Sequence, residues 1–437
     1  MNNISTELSS QKTGIVFLSG SAGELDWILP IIDDLLKKDF NIKIIFLTRH
    51  VRVSVKNNQM LNDYISQTNP QLETFLCGGY FIEKIEHFAY LLHRASIKFK
   101  LGQKPLLQTI YSFLNKILQK FYLMRMPSQI FKLKDKKCLF FSEYPSLRRP
   151  RDLWFRQVFK QALFFYCPHS PHIYSEDLDT KQQKTESINF ENRYFLLLGH
   201  PADYPFINDG MELASEDLEK VFIGHPKYSN TWLHEFKEKS QIFRSSFSKR
   251  SETNILIYSR GSGSYLDDQS HVDLVKTAIG GIDSQIENYN LLVKKHPREK
   301  NSYWDIAAST NPKIKIIDDH VMKIGTSVDF VITFWGSGAM DCYALGLPVI
   351  ELFNPNKHPK QQVPHESGYT TIYRLLGIVL PANNLEELVR AIASLKNNNF
   401  SLPSLEPHPF YNELLRLSDD WNTKFEKILA SHDLINS

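Results

Sequence analysis

Four short segments combine small residues with charged ones in patterns that suit a phosphorylated, hydroxyl-rich ligand. The longest is Thr333-Phe-Trp-Gly-Ser-Gly-Ala-Met-Asp-Cys-Tyr-Ala-Leu-Gly-Leu-Pro-Val-Ile350. An apolar run ends in Gly336, Ser337 and Gly338, where a phosphate can approach backbone N–H groups at the start of a helix. Asp341, one turn further on, has the reach to meet two ribose hydroxyls. The second segment, Ser259-Arg-Gly-Ser-Gly-Ser264, is another small-residue turn, with Arg260, Gly261 and Ser262 as phosphate ligands. Gly/Ser turns are common, so alone it is a weak signal. The third, Leu291-Leu-Val-Lys-Lys-His-Pro-Arg-Glu299, ends an apolar run in Lys294, Lys295, His296 and Arg298. Pro297 stops the strand there, and the cationic groups suit a departing phosphate. The fourth, Ser19-Gly-Ser-Ala-Gly-Glu24, opens a helix with a carboxylate able to accept a proton from a sugar hydroxyl. The plainer role for Glu24 is to complement the helix dipole, and Asp26 competes for the chemical one. For Asp341 the plainer role is a solvated helix residue.

Other candidates are weaker. Glu143 and the Arg148-Arg149-Pro-Arg151 cluster face a possible acceptor, and Gly199-His-Pro201 and Gly224-His-Pro226 read as turns. Cys167-Pro-His-Ser-Pro-His172 has two histidines, but its prolines disfavour a helix and no partner completes a zinc pattern. No bound metal is expected. There is no GxSxG, P-loop or GxGxxG motif, which removes support for hydrolase, kinase and dehydrogenase chemistry.

The elements that position these segments alternate. Gly14–Leu18 and Asn41–Leu47 read as buried strands around a helix with apolar positions at Leu25, Ile28, Leu29, Ile32, Leu35 and Leu36, a βαβ unit. Strands are expected again at 138–141, 162–167, 194–198 and 221–223. A second alternation has strands at 254–259, 290–294, 314–317, 329–333 and 349–352. Two Rossmann-like α/β domains facing a cleft follow: residues 1–226, with a basic helical insert at about 81–137, and 227–405. The hinge is expected near 224–240. A C-terminal helix within 406–437 is expected to cross back to the first domain.

Composition sets the bounds. The chain has 437 residues, 42% of them hydrophobic and 23% charged, which fits a globular protein of two domains. No run of about 18 apolar residues suggests a membrane span. The polar N-terminus lacks a signal core, and four scattered cysteines suit a reducing compartment, so the expected location is cytoplasmic, with peripheral contact to the inner membrane. Net charge is +3, yet residues 94–160 hold 16 Lys/Arg against three acids. That basic, aromatic stretch suits an anionic membrane surface or an anionic acceptor; a solvated helical face is the plain alternative. No nucleic-acid recognition motif accompanies it.

In their order along the chain, from Ser19–Glu24 to Gly336–Pro348, the four segments resemble glycosyltransferases of the GT-B fold, most nearly the Kdo transferases of lipopolysaccharide assembly. Ser21-Ala-Gly-Glu24 is similar to that family's Ser-X-Gly-Glu motif, which implies a catalytic base at Glu24. Lys295-His-Pro-Arg-Glu299 is similar to its Arg-His-Pro-Glu-Arg segment, which implies phosphate contacts from Lys295, His296 and Pro297. Arg298 and Glu299 stand in swapped order. Gly336 to Pro348 resembles the family's glycine-rich turn, with Asp341 where a ribose-binding Glu is usual. Sialyl-, nonulosonate- and capsule-polymer transferases share the histidine-proline segment. The resemblance implies an inverting transferase without a cofactor or metal. It would take a nucleotide-sugar donor, CMP-linked by preference, and a glycan or glycolipid acceptor. The alternatives are an enzyme like UDP-N-acetylglucosamine 2-epimerase, whose Gly-Thr-Arg-Pro-Glu pattern the first loop lacks, and a membrane-surface glycan-binding protein.

Overall fold

The computed structural model describes residues 12–66, 69–98, 105–143, 151–167, 188–201, 217–247, 252–263, 266–296, 299, 302–358, 363–365 and 368–435. Apolar runs that alternate with amphipathic helices become parallel strands, because a crossover helix covers each face of such a sheet. The first sheet contains β1 (Thr13–Leu18), β2 (Asn41–Phe46), β3 (Leu72–Leu76), β4 (Leu139–Ser142), β5 (Leu163–Tyr166), β6 (Tyr194–Leu198) and β7 (Glu219–Phe222). Its order is β3-β2-β1-β4-β5-β6-β7, all parallel. The second contains β8 (Thr253–Tyr258), β9 (Tyr289–Lys294), β10 (Ile314–Ile317), β11 (Phe330–Thr333) and β12 (Val349–Leu352). A small hairpin, β13 (Val363–His365) and β14 (Gly368–Thr370), precedes its last strand, β15 (Leu380–Ala382). The order is β10-β9-β8-β11-β12-β15, again parallel.

Every residue of β1 is buried, as its central place requires. Val16 and Leu18 face the helix Ala22–Lys37, whose Leu25, Ile28, Leu29, Ile32 and Leu35 are the apolar stripe of the sequence. Ile15 and Phe17 face the other side, where the helices Tyr80–Lys98 and Pro105–Arg125 pack as a hairpin through Ile82, Ala89, Leu118 and Tyr122. Among the described residues the basic insert is therefore two long helices and a short one, Ser128–Phe131, on one face of the first sheet. Phe17 stacks on Phe140 and Phe155 with ring centroids 4.4 Å apart in both pairs.

A single apolar cluster runs from the first helix into the second half of the chain, through Trp27, Tyr228, Met322, Ala339 and Tyr411. The tail is two helices, Pro409–Asp419 and Trp421–Ser431, where the sequence suggested one. They touch both halves. Tyr411 donates to the Met340 carbonyl (3.2 Å), while Phe425 packs on Phe165 (5.2 Å) and Lys424 donates to the Phe222 carbonyl (2.6 Å). Gly224, at φ +69°, lies where a Cβ would collide with the backbone of Leu417 and Ser418, so the crossing needs glycine. No helix of the described residues is long and apolar enough to cross a membrane.

Candidate functional site

In an open parallel sheet, the crevice forms where neighbouring strands send their connections to opposite sides. For the first sheet that point lies between β1 and β4. The Ser19–Glu24 loop leaves one strand there and Glu143 follows the other. Ser21 caps the helix, its hydroxyl accepting from Gly23 N (3.2 Å), and Glu24 closes a capping box. The Glu24 carboxylate accepts the amides of Ser19 (2.7 Å) and Ser21 (3.1 Å) and that of Gly20. Glu24 is 6% exposed. A Cβ on Gly20 would collide with Glu24 Oε1 and lie 3.6 Å from Glu143 Oε2, so two carboxylates border one loop. They also line a small cavity with Ser142 and Cys167. The structural role weighed for Glu24 is thus occupied.

For the second sheet the corresponding point lies between β8 and β11. Ser259, Arg260, Gly261 and Ser262 leave β8, and Lys295 and His296 leave β9, the next strand over. Glu299 joins these two loops from below. Its side chain is buried and accepts from the Ser259 hydroxyl (3.1 Å), the Ser302 hydroxyl and His296 N (3.3 Å). His271 Nε2 lies 3.5 Å away, and Trp304 donates to Ser259 Oγ (3.0 Å). Gly261 is a glycine because a Cβ would collide with the methylenes of Glu299. Lys295 turns to Asp305 (2.7 Å). Pro297 and Arg298 lie outside the described residues, as do Ser264 and residues 168–172 and 148–150.

The glycine-rich turn beyond β11 packs on the β8 loop. A Cβ on Gly336 would lie 3.1 Å from the Tyr258 ring, and one on Gly338 would collide with it. Trp335 sits at φ +73°, with the Arg260 guanidinium 5.3 Å from its ring. Ser337 begins the helix Gly338–Ala344 without a side-chain cap.

Asp341 does not face solvent. Its Oδ1 lies 2.9 Å from Lys227 Nζ and accepts from the Tyr228 hydroxyl (2.8 Å). The same Lys227 ammonium reaches Asp26 Oδ2 at 2.9 Å, and His320 Nε2 reaches Asp26 Oδ1 at 2.9 Å. Nearby, Trp27 donates to His225 Nδ1 (2.7 Å). The linker residues after Gly224 therefore tie the first helix to the helix bearing Asp341. Burial disfavours the charged form of Asp26, but His320 and Lys227 outweigh it and hold the carboxyl well below the usual range. Burial likewise disfavours charge on Lys227, and Asp26 and Asp341 overcome it to hold the ammonium above its ordinary value. Tyr258 is pushed up to about 12 by burial, with Asp341 adding to the shift.

The structure thus joins Arg260, Gly261, Ser262, His296, Gly336, Ser337, Gly338 and Asp341 in one contiguous region and brings Asp26, on the helix that Glu24 opens, to its edge. Lys295 points to a neighbouring helix. Sequence reasoning passed over Lys227, Tyr228 and His320. It left the role of Glu299 open, since nothing local signals that this carboxylate is buried.

No protein-family profile matches the chain, and no curated protein matches it in sequence. Solved structures do resemble it. UDP-GlcNAc 2-epimerase from Methanocaldococcus jannaschii superposes with a TM-score of 0.53 at 14% identity, covering 96% of this chain and 99% of that one. UDP-N-acetylglucosamine 2-epimerase from Rickettsia bellii gives 0.52 at 12% identity, with 98% of each chain covered. A variant of the wall teichoic acid polymerase TagF soaked with CDPG gives 0.52 at 12%, covering 98% and 90%. With two parallel sheets, each backed by helices, these likenesses establish the architecture: the chain has the GT-B fold.

Proposed function

We propose that the chain is an inverting glycosyltransferase of the metal-independent kind its sequence resemblance implies. The second sheet holds a nucleotide-activated sugar, and a hydroxyl of a bacterial surface glycan or glycolipid attacks it. Arg260, Ser262 and His296 meet the phosphate, helped by the backbone of Gly336–Gly338. Asp341 Oδ1 is committed to Lys227 and Tyr228, so ribose recognition falls to Oδ2. Glu24 takes the acceptor proton as the new C–O bond forms. The bond from the anomeric carbon to phosphate breaks, and the nucleotide leaves with the electron pair. Holding both substrates in one crevice supplies much of the acceleration, and stabilising the departing phosphate supplies more. The preference for a CMP-linked acidic sugar rests on the resemblance.

One observation supports this reading above others. A continuous line of contacts runs from Glu299 to Ser259, from the adjacent Tyr258 to Gly338, and from Asp341 through Lys227 to Asp26. Asp26 lies two residues from Glu24. Asp26 and Asp341, 315 residues apart in the chain, are joined through Lys227.

The test is Glu24→Gln, which preserves shape and one acceptor oxygen. Transfer should fall by at least about a hundredfold, while nucleotide-induced stabilisation persists. Normal turnover by this variant removes Glu24 from the mechanism; loss on Glu143→Gln instead assigns the base to the second carboxylate of the loop. A new isomer formed from UDP-GlcNAc with no acceptor present overturns transfer in favour of epimerisation.

A further inference from the structure

Large apolar side chains crowd the outward side of the helical hairpin on the first sheet. Tyr80, Phe81, Phe88 and Leu91 are exposed on the first helix, and Phe113 and Met124 on the second, Met124 by 78%. Helical geometry explains the pattern. Residues 80, 84, 88 and 91 recur at spacings of four, four and three, opposite the buried Ile82 and Ala89. Residues 113, 116, 120 and 124 repeat this, opposite Leu118 and Tyr122. The intervening positions on both stripes are Lys84, Lys116 and Lys120. The second helix thus sets two lysines between Phe113 and Met124 along its outer face, and the first sets Lys84 between Tyr80 and Phe88, with Glu83 and His87 beside it. Lys84 lies over the Tyr80 ring at 5.3 Å. Just beyond, exposed Phe131 carries Lys134 over its ring at 5.5 Å. Residues 105–137 hold seven Lys/Arg and a single acid, Asp135.

A solvated face needs no aromatic rings, and a protein interface is usually depleted of lysine. Aromatics interleaved with lysines along one helical face fit the boundary between lipid headgroups and acyl chains. The cations meet anionic headgroups while the rings and Met124 enter the acyl margin. We propose that this face docks the protein on an anionic lipid bilayer. The hairpin begins directly after β3, and Arg125 at its far end donates to the Cys77 carbonyl (2.9 Å). The end bearing Tyr80, Phe81 and Met124 therefore lies at the carboxyl edge of the first sheet, the edge that also carries the Glu24 loop. Docking this way brings that crevice to the bilayer surface. The surface is independent of the transfer reading and stands if that reading fails.

The experiment is co-sedimentation of the full chain with vesicles of phosphatidylcholine alone and of phosphatidylcholine with equimolar phosphatidylglycerol. Binding is expected to the anionic vesicles only, and to weaken in about 1 M salt, where charges are screened within about 3 Å. Lys116→Glu with Lys120→Glu should lower the partition coefficient by at least about tenfold. Phe113→Ser with Met124→Ser should lower it by a similar factor. Both double variants should keep the wild-type melting temperature, since none of the four side chains is buried. Equal binding to both vesicle types, binding to neither, or wild-type binding by both variants overturns the proposal. So does a concentration-dependent dimer that Phe113→Ser with Met124→Ser dissolves, because a second copy then covers the face.

Discussion

Lys227→Met removes a cation that faces two buried carboxylates at 2.9 Å each. Methionine preserves length and apolar contact, so the change isolates the charge. At an effective dielectric of about 20, a unit pair at this distance is worth roughly 6 kcal/mol before desolvation. The net effect is far smaller, because the ammonium also regains its hydration on unfolding. Breaking a buried pair by removing one partner typically costs about 3–5 kcal/mol. Asp26 keeps His320 at 2.9 Å, whereas Asp341 keeps only the Tyr228 hydroxyl among these contacts. Asp341 should bear most of the penalty. For a chain of 437 residues the expected fall in melting temperature is about 3–6 °C. The control is Lys37→Met: its bridge to Asp33 is 2.6 Å long, but its side chain is 63% exposed, so the change should cost under about 1 kcal/mol. Adding Asp341→Asn to Lys227→Met should restore part of the loss, because the stranded charge is then gone.

The pH dependence follows from the two shifts. The Asp26 carboxyl is lower in the folded state than in the unfolded one, so its contribution is complete above about pH 4 and shrinks as pH falls further. The Lys227 ammonium is raised on folding, so its contribution is complete below about pH 10 and shrinks as pH rises beyond that. The difference between wild type and variant should shrink outside these limits. Thermal melts across that range are the assay. A Lys227→Met loss no greater than that of Lys37→Met refutes this account of the junction.

Three further outcomes follow from the geometry. Glu299→Gln exchanges one acceptor oxygen for an amide group where hydroxyl and N–H donors converge, so denaturant unfolding should show a loss of about 1–3 kcal/mol. Gly338→Ala forces a methyl into the Tyr258 ring, and its stability should fall by about 1–3 kcal/mol in the same assay. All four cysteines are buried free thiols, with Cys77 pushed up to about 11 and Cys138 to about 12, chiefly by burial. A thiol reagent at neutral pH should therefore label the native chain slowly, and all four sites once it is denatured.

The sequence was legible where burial is two-sided. β1, β6, β11 and β12 stand out as apolar runs bounded by small or polar residues, because helices cover both faces of these sheets. β3 was missed: Leu72-Glu-Thr-Phe-Leu76 is an edge strand, half exposed, paired only with β2, and its polar residues mask it. β15 was missed for a related reason. It is three residues long, contains Pro381 and pairs only with β12, an edge position where a missing N–H is harmless. The tail splits in two at Asp420, since its apolar positions face different halves of the molecule. In the site, the glycines of the β8 and β11 loops were legible as turns, and Ser21 with Glu24 has the spacing of a capping box. Lys227 was not, because its partners lie 201 residues upstream and 114 downstream. No local pattern signals a contact of that kind.

The account rests on a nucleotide pocket built from the loops after β8, β9 and β11. The most direct measurement is a thermal-shift titration of the wild type and His296→Ala with CMP, CDP, UDP and GDP. A ligand bound only by the folded state raises the melting temperature with its concentration. CMP should give the largest rise in the wild type, and His296→Ala should lose most of it. No rise with any nucleotide, or an equal rise in both proteins, contradicts the pocket.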